Sequence, residues 1–158
     1  MILDSTCSLE RKWPVHADIR IDINKIAKPD IVADAGTLPF RSSSFDQIYC
    51  DPPHIGYPGK KTWAKHGIMA KRFGFWINWA AWYSFLERTN SEFARCLKTD
   101  GFLIYKLLDG LGGGTTKLKH LSRLTNFVVM TDEPEQSKGI SKRSKVHYIV
   151  YRKKGVFD

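Results

Sequence analysis

Short apolar runs, each cut off by an acidic or turn-forming residue, set the pattern of the first third of the chain. Met1-Ile2-Leu3 stops at Asp4 and passes into the small residues Ser5-Thr6-Cys7-Ser8, as a first strand feeding a turn. Leu9 to Trp13 fits either a short helix or an irregular link. Val15 to Asp22 alternates apolar and polar positions and predicts a second strand carrying Asp18 and Asp22. Pro29 to Ala35 predicts a third, with Asp34 at its end and Gly36 breaking it. Phe45 to Cys50 predicts a fourth, which runs directly into Asp51-Pro52-Pro53-His54. Proline has no backbone N–H and a fixed φ, so two in succession close an inner strand. An acid alone at a strand end is an ordinary turn former. Acids at three successive strand ends exceed what turn chemistry requires.

Beyond residue 74 the period changes. Trp76, Trp79, Trp82, Tyr83 and Leu86, then Phe93, Ala94 and Leu97, recur at helical spacing and predict a helix over Phe75 to Thr99. Its aromatic stripe is core packing against a sheet rather than a stacking platform. Thr89 or Asn90 is placed to start a second helical segment with Glu92 in its first turn, and Gly101 to end the helix in the left-handed conformation. Phe102 to Leu108 predicts a central fifth strand, Thr116 to Leu124 a short basic helix and Phe127 to Thr131 a sixth strand. Val146 to Tyr151 predicts a last strand with Arg152-Lys153-Lys154 as a solvated end. The link from Gln136 to Lys145 is polar and non-helical, so the last two strands are expected to pair antiparallel at one sheet edge. Gly110 to Gly114 lacks the order of a phosphate-binding P-loop. Strands alternating with helical segments predict an α/β fold with a mostly parallel central sheet and an antiparallel last strand. Ligands of such sheets bind beyond the carboxyl ends of the strands.

Composition narrows the class. At 158 residues the chain is expected to form a single compact domain over 1–158, without a separate target-recognition domain. Cys7, Cys50 and Cys96 are odd in number and far apart, which argues against a disulfide framework or a zinc site and for a reducing compartment. Neither a signal peptide nor an apolar run of membrane-spanning length is present, so a cytoplasmic protein is expected. The formal charge of +9 favours an anionic partner, nucleic acid first, over a membrane surface. Much of that charge falls between Ile55 and Gly74, where Lys60, Lys61 and Lys65 flank Trp63. Cations interleaved with an aromatic suit phosphates and stacked bases. A solvated surface loop is the plain alternative.

Taken together, Leu3-Asp4-Ser5-Thr6-Cys7, Asp18-Ile19-Arg20, Pro29-Asp30-Ile31-Val32-Ala33-Asp34, Leu38-Pro39-Phe40, Asp51-Pro52-Pro53-His54 and the segment from Leu97-Lys98 through Gly101 to Lys106 form an ordered set. This set resembles the class I S-adenosylmethionine-dependent methyltransferases. Within them it is most similar to small phage- and prokaryote-type amino-methyltransferases with an Asp-Pro-Pro-Tyr-type motif, here in an Asp-Pro-Pro-His form. The resemblance covers nearly the whole chain. It implies a Rossmann-like class I methyltransferase fold, S-adenosyl-L-methionine as cofactor, and methyl transfer to an exocyclic amine of a nucleic-acid base, with DNA adenine favoured and RNA possible.

The resemblance also implies roles. Asp4, Ser5, Thr6, Cys7 and Ser8 would form the loop under the methionine part of the cofactor. Asp18, or less favourably Asp22, would hold the ribose hydroxyls. Asp34, with Ala35 beside it, would meet the adenine amine, and Leu38 or Phe40 would pack near that ring. Asp51 and the carbonyl of Pro52 would accept hydrogen bonds from the target amine, with Pro53 stiffening the turn and His54 stacking on the target base. Lys106 joins Lys60, Lys61, Trp63 and Lys65 among the expected substrate contacts. An exocyclic base amine is a poor nucleophile, because its lone pair is delocalised into the ring. Two acceptors aimed at its hydrogens favour a pyramidal nitrogen, and a paired base must be flipped or single-stranded to present it. Ser8 stands where such loops usually carry glycine, and His54 where tyrosine is commoner. A homodimer or a partner subunit would supply any missing nucleic-acid contacts. The alternative is a non-catalytic nucleic-acid-binding protein on the same fold.

Overall fold

The computed structural model describes residues 1–7, 16–53, 79–109, 124–136 and 145–155. Its elements are β1 (Ile2–Asp4), β2 (Ile19–Asp22), a 3-10 turn (Lys25–Ala27), β3 (Ile31–Val32), β4 (Phe45–Cys50), α1 (Trp79–Cys96), β5 (Leu97–Asp109), β6 (Phe127–Gln136) and β7 (Lys145–Lys153). They form one seven-stranded sheet in the order β3-β2-β1-β4-β5-β7-β6. β1 to β5 pair in parallel, whereas β7 runs antiparallel between β5 and β6. The expected mostly parallel sheet with an antiparallel last strand is therefore what the chain builds, with that strand, β7, lying inside the edge strand β6.

The core follows from two periodicities meeting. Along β5, Leu103, Tyr105 and Leu107 are buried, and the residues between them are less so. Along α1, Trp82, Phe85, Leu86, Phe93 and Cys96 are buried, whereas Ala80, Ser84, Glu87, Arg88 and Ser91 face outward. A period of two on the strand and of 3.6 on the helix puts both apolar rows in one plane of contact. Phe45, Ile48 and Cys50 of β4 and Ile149 and Tyr151 of β7 complete the same cluster. Among the described residues no helix is long and apolar enough to cross a membrane.

Several expected boundaries move, each for a local reason. β2 begins at Ile19 rather than near Val15, and β3 shrinks to Ile31–Val32. As an edge strand with both residues exposed, β3 has little apolar contact to extend it. α1 runs unbroken through Thr89 and Asn90. The Thr89 hydroxyl turns backward, 2.8 Å from the Phe85 carbonyl and 3.2 Å from the Tyr105 hydroxyl, so it never caps a new segment. α1 ends at Cys96, and β5 starts at once with Leu97. The left-handed residue there is Asp100 (φ 59°), not Gly101. β6 and β7 are longer than their apolar runs, so Arg152 and Lys153 belong to a strand rather than to a solvated end.

Gly101 has a different constraint. A Cβ on it would lie 3.0 Å from the Lys98 carbonyl oxygen and 3.1 Å from that of Asp46, so two stretches of backbone would have to give by a few tenths of an ångström. We expect Gly101→Ala to cost about 1–3 kcal/mol through overpacking, read as a lower midpoint in urea unfolding.

Candidate functional site at the carboxyl edge of the sheet

The parallel strands all point their carboxyl ends to one edge. β1 lies between β2 and β4, so the chain leaves it at the place where successive connections diverge to opposite sides. Such a switch point opens the crevice in which α/β sheets hold ligands. The residues leaving β1 bridge this crevice. The backbone N–H and the hydroxyl of Ser5 both donate to the Tyr49 carbonyl of β4, at 2.9 and 2.8 Å. Two residues later the Cys7 N–H donates to the Ile21 carbonyl of β2, at 3.1 Å. Between them the Thr6 N–H donates to Asp4 Oδ1 at 3.2 Å, and Thr6 Oγ1 accepts the Asp51 N–H at 2.6 Å. Asp4, Ser5 and Cys7 are buried. The turn of small residues is thus a fastened arch, tied to β4 by Ser5 and Thr6 and to β2 by Cys7.

Asp51 follows β4 directly, and its side chain meets one from β5. Cys50 pairs with Tyr105, which brings Asp51 and Lys106 side by side one residue further on. Lys106 Nζ lies 2.6 Å from Asp51 Oδ2, with side chains 13% and 23% exposed, so this pair is only partly screened by water. Tyr105 points the other way, into the core, where burial pushes its hydroxyl well above the usual tyrosine range. Pro52 is buried and Pro53 half-buried. A lysine expected among the nucleic-acid contacts therefore stands on the carboxylate expected to receive the target amine. Sequence reading missed this pairing, as well as the Thr6 clasp; strand register alone reveals both.

Asp18 needs correction. It precedes β2 and sits at the amino-terminal edge, where its N–H donates to the Ile2 carbonyl and its carboxylate accepts the Ile2 N–H at 2.7 Å. That is the opposite end of the sheet from the crevice, which does not fit a ribose ligand. Asp22, the alternative, ends β2 on the crevice side, half-buried, with Oδ1 accepting the Asn24 N–H at 2.8 Å.

Asp34 lies in a turn beyond β3 rather than at a strand end. Burial raises its carboxyl pKa, but the Gly36 N–H at 2.8 Å and Arg88 at 2.9 Å outweigh that and hold it below the usual range. Ala35 and Leu38 are buried in the core cluster, with Phe40 packed against it. Leu38 is further fixed by its N–H donating to Glu92 Oε1 at 2.7 Å. Ser8, His54, Lys60, Lys61, Trp63 and Lys65 lie outside the described residues. So do most of the predicted Thr116–Leu124 helix and the Leu9–Trp13 segment.

The three thiols are poor nucleophiles at neutral pH. Burial, reinforced by Asp4 and Asp22, pushes Cys7 up to about 11; burial pushes Cys50 up to about 12 and raises Cys96 as well. The Tyr105 hydroxyl lies 3.2 Å from that of Thr89, so a buried polar contact joins β5 to α1.

No model of a known protein family matches the chain, and no curated protein sequence does. Solved structures do match in shape. An S-adenosylmethionine-dependent methyltransferase from Methanosarcina mazei superposes with a TM-score of 0.58 at 15% identity, covering 96% of this chain and 91% of that one. The N-methyltransferase NodS from Bradyrhizobium japonicum, solved with S-adenosyl-L-homocysteine, gives 0.62 at 11%, covering 98% and 78%. The [4+2]-cyclase SpnF gives 0.57 at 13%, covering 96% and 74%. The fold is therefore the Rossmann-like fold of class I methyltransferases. The cyclase is a reminder that chemistry must be argued from the site.

The raised thiols give a pH prediction. Above the ordinary cysteine range near 9, the unfolded chain loses thiol protons that the folded chain keeps, so stability falls from about pH 9 toward 11. Urea midpoints across that range check the sign. Iodoacetamide at pH 8 is expected to leave all three thiols of the folded chain unmodified while labelling a denatured control, as read by intact mass.

Proposed function

We propose that this chain is an S-adenosyl-L-methionine-dependent methyltransferase that modifies an exocyclic amine of a nucleic-acid base, DNA adenine first and RNA next. The observation that carries the reading is the convergence of the Asp4–Cys7 arch, Asp22 and Asp51-Pro52 on one switch-point crevice, with Thr6 joining the first to the last.

The donor and acceptor set fits the cofactor. The arch would lie under its methionine part, and the Asp22 carboxylate at the end of β2 is a natural acceptor for ribose hydroxyls. When bound, the cofactor supplies a sulfonium methyl that a nitrogen lone pair can take directly, leaving a neutral thioether. Asp51 and the Pro52 carbonyl supply two acceptors on a stiff turn. Together they hold the hydrogens of the target amine, so that its nitrogen becomes pyramidal and its lone pair is aimed. One amine proton then leaves past the partly exposed Asp51 to water. The buried neutral thiols agree with direct transfer, without a covalent enzyme intermediate. The chain's formal charge of +9 supports an anionic polymer as substrate, and the cations Lys60, Lys61 and Lys65 would meet its phosphates.

Calorimetric titration with S-adenosyl-L-homocysteine tests the cofactor site. Asp22→Asn should weaken binding about tenfold through a lost charged hydrogen-bond acceptor, and Asp18→Asn should leave it within about twofold. Absence of binding at millimolar ligand would leave only a nucleic-acid-binding protein on this fold. Transfer of tritiated methyl to single-stranded DNA and RNA tests the reaction. Asp51→Ala should lower it at least about 100-fold, and equal transfer by the variant would remove Asp51 from the mechanism.

A further inference from the structure

The Lys106–Asp51 pair bears on which amines the site accepts, and this inference rests on the methyltransferase reading above. A carboxylate alone at the end of β4 would attract any cation, including the protonated form of an aliphatic amine. In this chain one carboxylate oxygen is already held by an ammonium, 2.6 Å away and 13% exposed. From this we infer that Lys106 is a specificity-determining residue: it neutralises and orients Asp51, so that the site takes a neutral, aryl-type amine such as that of a nucleobase and rejects alkylammonium groups.

The two amine classes differ in charge at neutral pH. A primary alkylamine has a pKa near that of lysine, about 10.4, so it arrives protonated and without a free lone pair. It must shed a proton before its nitrogen can form a bond. A nucleobase amine is neutral because its lone pair is shared with the ring, and it needs only hydrogen-bond acceptors to free that pair. Lys106 treats the two differently. An alkylammonium bonded to Asp51 would lie about 5 Å from Nζ, and in a partly buried site that like-charge contact disfavours it on the order of 100-fold. A neutral amine meets no such repulsion and finds a carboxylate already fixed in place.

The position of Lys106 in the sheet makes this a built arrangement rather than a surface encounter. β5 lies between β4 and β7, and Lys106 is directly opposite Tyr148 of β7 in the register. Its backbone is therefore held on both sides, and its side chain belongs to the strand face opposite the buried Tyr105. A lysine serving only as a phosphate contact has no need of a mid-sheet position against an acid.

The test uses the full chain with S-adenosyl-L-methionine at pH 7, in wild-type form and as Lys106→Met, Lys106→Gln and Lys106→Arg. Methyl transfer is measured to single-stranded DNA and RNA and to a primary alkylamine, and S-adenosyl-L-homocysteine affinity is measured alongside. The wild type is expected to prefer the base amine by at least about 100-fold. Lys106→Met and Lys106→Gln are expected to shrink that preference by about 100-fold, lowering kcat on nucleic acid about tenfold with cofactor-product affinity within twofold. Lys106→Arg should keep most of the preference. A wild type that favours the alkylamine overturns the inference, as does an unchanged preference in both neutral variants. So does a pure rise in nucleic-acid KM with the salt slope reduced by about one, the signature of a phosphate ligand. A wild type that binds no S-adenosyl-L-homocysteine and methylates nothing overturns the methyltransferase reading itself, and the inference with it.

Discussion

The carboxyl edge of the sheet depends on how β4 is brought to an end. Pro52 and Pro53 carry no N–H, so the Asp51 amide is the last donor before the proline pair. The Thr6 hydroxyl accepts it at 2.6 Å, and the preceding Tyr49 carbonyl accepts twice from Ser5. An amide or carbonyl left bare at a half-buried strand end costs free energy comparable to a lost hydrogen bond. Satisfying both from the same arch locks the exit of β1 to the exit of β4. The exits of two strands that are far apart in the sequence thereby become one rigid piece.

Electrostatics then act within that frame. Burial first, and then the nearby Asp4 and Asp22, raise the Cys7 thiol, whereas Asp51 is met by a cation from the next strand. The edge is therefore divided, with carboxylates accumulated around the arch and a neutralised carboxylate on the β4 side. One lysine of the chain's basic excess thus stands against an acid at this edge rather than on open surface.

The core carries the same logic downward. Thr89, the most deeply buried polar residue of α1, meets the Tyr105 hydroxyl of β5 at 3.2 Å. A buried hydrogen bond of this kind is directional, so it restrains the register of helix on sheet in a way that apolar contacts do not. Tyr105 is the strand neighbour of Lys106, so the packing of α1 and the placement of that lysine are not independent. Thr89 also explains why the helix does not break at Thr89-Asn90: a hydroxyl bonded to Phe85 and Tyr105 has nothing to gain by capping.

By itself, the sequence determined the class of fold, the antiparallel closing pair, the position of β4 and the acid-proline-proline stop after it. These depend on local properties: alternation, helical period, and the missing N–H of proline. It did not determine strand ends where few apolar residues mark them, as at β3, or where a glycine is needed for space rather than for its φ, as at Gly101. Nor did it separate Asp18 from Asp22, which are alike in type and four residues apart. Only the tertiary structure decided that Asp18 lies at the wrong edge, that Thr6 clasps Asp51, and that Lys106 stands against the same carboxylate. Each of these follows from the register between strands distant in the chain, and register is set by the packed sheet as a whole rather than by any stretch of it.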